Sequence, residues 1–319
     1  MTAGATRFRR LAPWLAAAVL LSVVFLRVDF GATARALAGA DWARFALSAL
    51  PFAGVWLAID AAALSRLVSR FHAPFAFSSM LRLRGGTYLF LVLSYDAAQA
   101  ALALALSRRL RVPLLALGGT FLFYYAVDLL TIAALGSLGA LAMPGARGAA
   151  LRLALAAMLV LVTGALAAGA ALARLTDARR PRWLAGARIL DTLRQASLRD
   201  VAEWAAWRAL FYGSFVAFAA ATLPAFGIHV PLPALLACVP VTLSVAALPI
   251  TVSGLGSAQV AMLALYGAFA DEAAIVAYSL AHSVSLIVLR LPIGLACWPA
   301  VASAAAPVSD PQLAGRSQT

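Results

Sequence analysis

Long apolar segments alternate with short polar stretches along almost the whole chain. The apolar segments lie at residues 11–28, 45–65, 86–107, 113–140, 149–173, 205–227, 232–270 and 273–303. A helix of about 20 predominantly apolar residues is long enough to cross the hydrocarbon core of a bilayer. The pattern therefore predicts an all-α polytopic membrane protein, with about six full spans and two segments of a different kind.

The first unusual segment, 86–107, has arginines at both ends. Arg82 and Arg84 precede it, and Arg108, Arg109 and Arg111 follow it. A single crossing would place one of these groups outside, against the tendency of basic residues to stay on the cytoplasmic side. Two full crossings would need about 40 residues. We therefore expect a re-entrant hairpin with its break near residues 94–96.

The second unusual segment, 232–270, is interrupted by Pro249 and by glycines at 254 and 256. Proline and glycine break helices, and a broken helix is tolerated inside a membrane only against protein or a water-filled cavity. Whether the two arms of this segment cross the membrane or turn back stays open at this stage.

The two halves of the chain share one order of elements. Each has two spans, then a broken segment, then a further span, over residues 11–140 and 149–303. Each half crosses an odd number of times, so the second is inverted relative to the first, an architecture that recurs in secondary transporters. We expect one integral membrane domain over residues 1–319, with a flexible tail at 304–319.

Composition and charge narrow the class of protein. Of all residues, 64% are hydrophobic and only 12% are charged, which excludes an ordinary soluble domain. The net charge of +13 comes from 25 basic residues, all of them Arg, and most of them, Arg208 included, flank the predicted spans on one side. An anionic inner leaflet explains this charge better than nucleic acid does. We expect a bacterial inner-membrane protein with a cytoplasmic N-terminus.

The sequence offers no set of catalytic groups. It has no Lys, so it cannot form a Walker A site, and it contains no HExxH, Cys-x-x-Cys or Gly-x-Ser-x-Gly motif. We therefore expect a protein that is not an enzyme and that has no catalytic residue, metal or cofactor.

The stretch Leu248–Gly256 resembles the P-I-S-x-x-G-L-G motif of the lysylphosphatidylglycerol synthase transmembrane (flippase-like) family. Residues 125–129 and 286–290 also fit its pattern, and the resemblance covers most of the chain. The chain departs from it at Tyr125, where the family tends to carry Arg, and at Ala258 and Gln259, where the family usually has an Arg-Glu pair. The resemblance implies a free-standing flippase-like protein without an aminoacyltransferase domain.

Candidate substrate-binding residues lie at the two breaks and in two spans. They are Tyr95, Asp96, Gln99, Asp128, Thr251, Ser253, Gly254, Gly256, Gln259 and Arg290. An ionisable group at membrane depth is a functional hypothesis by default, although Asp96 could instead cap a helix. Asp128 and Arg290 could form a buried ion pair, or Arg290 could meet a lipid phosphate.

Several other polar residues have two possible roles. Arg82, Arg84, Arg108 and Arg109 frame the mouth of the first hairpin, where they could gather anionic headgroups or simply set the topology. Asp60 and His282 could relay protons or make hydrogen bonds within the helix bundle.

These patterns lead to two hypotheses about function. The first is a transporter or flippase that moves a lipid or lipid-linked substrate, with membrane lipids as its partners and no nucleic acid. The alternative is a protein that transports nothing and assists a lipid- or glycan-modifying membrane enzyme. Translocation by the purified protein in liposomes distinguishes the two.

Overall fold

A computed structural model describes residues 22, 29–92, 94–143, 145–178, 188–248 and 256–305. The predicted first span, apart from residue 22, and the predicted tail beyond residue 305 lie outside these residues. All regular secondary structure in the described residues is helical. The expected all-α membrane protein is confirmed at this level.

The helices follow one another along the chain with short connections. They are α1 (Phe30–Ala38), α2 (Trp42–Phe71), α3 (Phe77–Leu91), α4 (Tyr95–Leu110), α5 (Leu114–Ala140), α6 (Gly145–Ala178), α7 (Asp191–Gln195), α8 (Leu198–Thr222), α9 (Leu232–Ala247), α10 (Ser257–Tyr266) and α11 (Glu272–Ala305). Short 3₁₀ helices occupy Arg188–Leu190 and Leu223–Phe226.

Five of the described helices are long and apolar enough to cross a membrane, namely α2, α5, α6, α8 and α11. They coincide with the predicted spans at 45–65, 113–140, 149–173, 205–227 and 273–303. Their ends extend beyond the apolar cores, because flanking polar residues continue the helix: α2, for example, has 30 residues.

The predicted first hairpin corresponds to two short helices, α3 and α4. They have 15 and 16 residues, so each rises about 23 Å, less than the thickness of the hydrocarbon core. Helix α3 ends at Leu91 and α4 begins at Tyr95, close to the predicted break, and the Ser94 hydroxyl caps α4 by accepting a hydrogen bond from the Ala97 amide. The prediction that the first arm begins at residue 86 is wrong, since α3 begins at Phe77.

The second broken segment is also a pair of short helices. Helix α9 has 16 residues and α10 has 10, and the chain between them, 249–255, lies outside the described residues. Gly256 adopts a φ of 91°, which a side chain would strain. Its amide donates to Oε1 of Gln259 at 2.6 Å, which fixes the start of α10.

Helices pack in pairs that cross between the two halves of the chain. Helix α2 packs on α8, α3 packs on α11, and α5 packs on α9. Small residues allow these close approaches. Gly86 of α3 faces the backbone at Cys297, and Gly139 of α5 faces the backbone of α9 at Pro233 and Ala237.

Ion pairs at one end of the bundle join α2 to α8. Arg70 Nε donates to Asp200 Oδ1 at 2.8 Å, and Arg66 Nη1 donates to the exposed Glu203 at 3.3 Å. Nearby, His72 Nε2 lies 2.7 Å from the Thr120 hydroxyl, and partial burial lowers the pKa of the His72 imidazole. The imidazole is therefore neutral at pH 7.

A substitution at Gly139 tests the contact between α5 and α9. A Cβ atom there would collide with the backbone of α9, so we expect Gly139→Ala to lower the free energy of unfolding by about 1–3 kcal/mol. Gly118→Ala in the same helix meets no atom within 4 Å and should be neutral or stabilising by up to about 1 kcal/mol. Thermal unfolding of the purified variants in detergent measures both effects. Equal shifts would contradict the close approach.

Candidate functional site

A cavity of about 430 Å³ lies in the middle of the helix bundle. Its walls come from the central turns of α2, α5, α8 and α11. The remaining wall is formed by the last turn of α3, the first turn of α4 and the last turn of α9. The ends of short helices from both halves of the chain therefore meet the midpoints of the long ones around one space.

Two aspartates and two arginines form a buried network beside this cavity. Arg84 Nε donates to Asp60 Oδ2 at 2.6 Å, and Arg208 Nη1 reaches Asp60 Oδ1 at 3.5 Å. Arg208 also donates through Nε to Oδ1 of Asp128. All four side chains are at most 13% exposed. Helices α2, α3, α5 and α8 are thus joined by one charge cluster, which balances two positive charges with two negative ones.

Neutral polar side chains complete the hydrogen bonding of this cluster. Gln99 of α4 accepts from Arg84 Nη1 at 3.3 Å and donates to the Tyr95 hydroxyl at 2.8 Å. Tyr212 donates to Asp128 Oδ1 at 3.0 Å. A buried ion pair is stable only when its remaining donors and acceptors also have partners, and these contacts supply several of them.

Aromatic rings surround the Arg208 guanidinium. Its Cζ lies 4.3 Å from the centre of the Phe211 ring, 5.2 Å from that of Tyr124 and 5.1 Å from that of Tyr212. Cations are attracted to the faces of aromatic rings, most strongly where water is excluded. This packing holds Arg208 in place, so it acts as a fixed link between Asp60 and Asp128.

Arg290 is the cavity arginine that the cluster leaves out. It is half-buried in the middle of α11, and its Cζ lies 5.8 Å from the centre of the Tyr88 ring. No carboxylate of the described residues lies within ion-pair distance of it. The predicted pairing of Asp128 with Arg290 is wrong, because α8 packs on α5 and brings Arg208 to Asp128 instead.

The structure brings four of the predicted substrate-binding residues to the cavity wall, namely Tyr95, Asp96, Asp128 and Arg290. Asp96 is exposed in the first turn of α4. The helix cap that was its alternative role is supplied by Ser94. Gln99 lies behind the wall and reaches the cavity only through its hydrogen bonds to Arg84 and Tyr95.

The predicted residues of the second break are separated from this wall where they are described. Gln259 is fully buried, and its amide nitrogen donates to the Ser283 hydroxyl at 3.1 Å. Together with Gly256 it fixes α10 against α11, and neither residue lines the cavity. Thr251, Ser253 and Gly254 lie outside the described residues.

The four arginines predicted at the mouth of the first hairpin do not stay together. Arg84 is buried at the charge cluster, so its predicted place at the mouth is wrong. Its burial is stable because Asp60 neutralises it. Arg108 is exposed, while Arg82 and Arg109 line a second pocket at the far end of α3 and α4.

Sequence reasoning missed Arg208 and Tyr212. Arg208 lies ten residues into α8 and had been grouped with the arginines that flank the spans. Asp60, expected to be a proton relay or a hydrogen-bonding partner, is ion-paired. Arg208 and Asp60 could have been linked from the sequence, because both charges occur inside apolar segments.

His282 packs on the rings of Phe218 and Tyr278, and its Nδ1 has no hydrogen-bond partner among the described residues.

No protein-family model matches this chain, and no curated protein is detectably similar to it.

Removing Asp60 tests the importance of the charge cluster. We expect Asp60→Ala to lower the free energy of unfolding by about 3–5 kcal/mol, because two buried arginines lose a counter-charge. Glu203→Ala removes an exposed carboxylate that also joins α2 to α8. It should lower the free energy of unfolding by less than about 1 kcal/mol. Thermal unfolding in detergent gives the comparison. The cluster would have no special role if both variants lost the same stability.

Proposed function

We propose that this protein moves a lipid or lipid-linked molecule between the leaflets of a bacterial inner membrane. The main support for this proposal is a single cavity at the midpoints of four long helices. The ends of short helices from both halves of the chain form part of its wall. Transporters bind their substrates near the bilayer midplane, where broken helices meet. The proposal involves no covalent chemistry, metal or cofactor.

The apolar rim of the cavity favours a lipid as the substrate. Leu129 of α5 and Leu248 at the end of α9 both line the cavity and are 40% and 47% exposed. Leu129 lies near the middle of a helix that is long and apolar enough to cross a membrane, so we place this rim at the level of the hydrocarbon core. A molecule with its headgroup in the cavity can therefore keep its acyl chains in the bilayer through this side.

Charged groups inside the cavity suit a polar headgroup. Arg290 is the positive charge without a carboxylate partner among the described residues, and its planar guanidinium can hold a phosphate through two hydrogen bonds. Asp96 and Tyr95 at the start of α4 add polar groups to the same cavity. A headgroup that binds them does not have to cross bare hydrocarbon, where a charge is costly.

The proposed architecture has two re-entrant hairpins, α3–α4 and α9–α10, in an inverted repeat. Its support is the reciprocal packing of the two halves: α3 of the first lies on α11 of the second, while α9 of the second lies on α5 of the first. The corresponding helices α2 and α8 pack on each other. A pseudo-two-fold axis between α2 and α8 would produce this arrangement.

The motif at Leu248–Gly256 adds to the proposal through its resemblance to the flippase-like family. The arginine distribution supports a cytoplasmic N-terminus, because most arginines would then lie on the cytoplasmic side.

Substitution of Arg290 tests its contact with a phosphate. In proteoliposomes, we expect Arg290→Gln to slow the movement of phosphatidylglycerol labelled on an acyl chain about 10- to 100-fold, the effect of losing a charged hydrogen bond of about 1.5–3 kcal/mol. Asp96→Asn should also slow movement, since Asp96 lines the same cavity. Reduction of the fluorophore by an impermeant reagent measures the rate.

The matched control is Arg35→Gln, which removes an exposed arginine that does not line the cavity. It should leave the rate unchanged. If wild-type protein moved neither phosphatidylglycerol, phosphatidylethanolamine nor a polyprenyl phosphate, the transport proposal would fail in favour of the role as an enzyme's partner.

Cysteines placed at the two ends of the α3–α4 pair test the first hairpin. Position 78 is the second residue of α3, position 111 follows α4, and both residues are exposed. In a background without Cys238 and Cys297, we expect an impermeant maleimide to label Ser78→Cys and Arg111→Cys from the same side of the membrane. Labelling from opposite sides would rule out re-entry.

A further inference from the structure

A second pocket lies at the end of the α3–α4 pair away from the central cavity. Its volume is about 330 Å³, within the range of small-ligand sites. Its walls are formed by Arg82 of α3, Arg109 of α4 and, from α11, Ala296, Cys297, Pro299, Ala300 and Ser303. None of these residues lines the central cavity, and Cys297 lies seven residues beyond Arg290, about 10 Å along the helix.

The pocket carries two positive charges, and no carboxylate lines it. Arg109 is held in position, because its Nη2 donates to the Ala300 carbonyl at 2.8 Å and to the Ser303 hydroxyl at 3.3 Å. Arg82 is exposed and makes no ion pair with a described residue. Arg109 is thus fixed, while no described residue occupies the donors of Arg82.

The depth of the pocket matches a lipid headgroup. Arg82 lies in the second turn of α3, Arg109 lies next to the last residue of α4, and Ser303 lies two residues before the end of α11. Three helix ends gather at one level, where a membrane surface would lie. Basic pockets between membrane helices bind the headgroups of anionic lipids, and guanidinium groups form strong hydrogen bonds to phosphate.

We propose that this pocket binds the phosphate of an anionic phospholipid, at a site separate from the central cavity. The bound lipid bridges α3 and α4 to α11 and so holds the first pair of short helices in place. The inference does not depend on transport, since the site would stabilise the same contacts in a protein that moves nothing.

Cys297 provides a local test, because its side chain lines the pocket while Cys238 is buried. The full chain in detergent is titrated with short-chain phosphatidylglycerol, with phosphatidylcholine of the same chain length, or with inorganic phosphate. Alkylation of Cys297 is followed by mass spectrometry of the modified peptide. We expect phosphatidylglycerol to slow alkylation at least five-fold at concentrations where the other two have no effect.

Variants distinguish this pocket from diffuse surface charge. Protection should be lost in Arg82→Gln/Arg109→Gln and retained in Arg199→Gln, which removes an exposed arginine elsewhere. If the double variant does not fold, Arg82→Gln alone should weaken protection several-fold, because Arg82 is exposed and its replacement leaves no buried partner.

Three results would overturn the proposal. Equal protection by phosphatidylcholine would mean that the acyl chains bind without the phosphate. Equal protection by inorganic phosphate at the same concentration would mean an anion site with no need for a lipid. Equal loss in Arg199→Gln would mean that the total charge, and not the pocket, attracts the lipid.

Discussion

The arrangement of the helices depends on the neutralisation of four buried charges. Asp60, Arg84, Asp128 and Arg208 come from four different helices and are nearly inaccessible. Each charge alone would be very unfavourable in a low-dielectric interior, and removal of one partner leaves the other uncompensated. The pairs therefore restrict how α2, α3, α5 and α8 can lie relative to one another. They stabilise one arrangement in a medium where apolar helices have little preference for one another.

Short helices give this bundle its central space. Helices α3, α4 and α9 end near the midpoints of the long helices, so that their last or first turns line a cavity instead of a continuous wall. Glycines make the arrangement compact: Gly86 allows α3 to approach α11, and Gly139 allows α5 to approach α9. The paired cluster forms part of the wall, while Arg290 presents a cation that no described carboxylate neutralises. Arg84 and Arg208 have acidic partners and Arg290 has none among the described residues, which makes Arg290 the candidate for binding a ligand.

Hydropathy predicted most of the fold, and the failures have one cause. The spans at 113–140 and 205–227 and the break near residue 94 are local patterns, and all were found near their predicted places. The start of α3 was misplaced because Arg84 was taken as a flanking charge. Arg208 was misassigned for the same reason. A basic residue inside a helix has the same sequence signal whether it lies at an interface or pairs with an acid from a distant helix.

The sequence by itself determined that this is an all-helical membrane protein, where its spans are broken and which polar residues lie inside apolar segments. These properties follow from the local cost of placing charge in hydrocarbon. Only the tertiary structure decided the partners: Arg208 meets Asp60 across 148 residues, and Arg290 is left facing the cavity. Ion pairing depends on distance in space. Helix packing sets that distance, and the local sequence around one charge does not show which distant segment will pack against it.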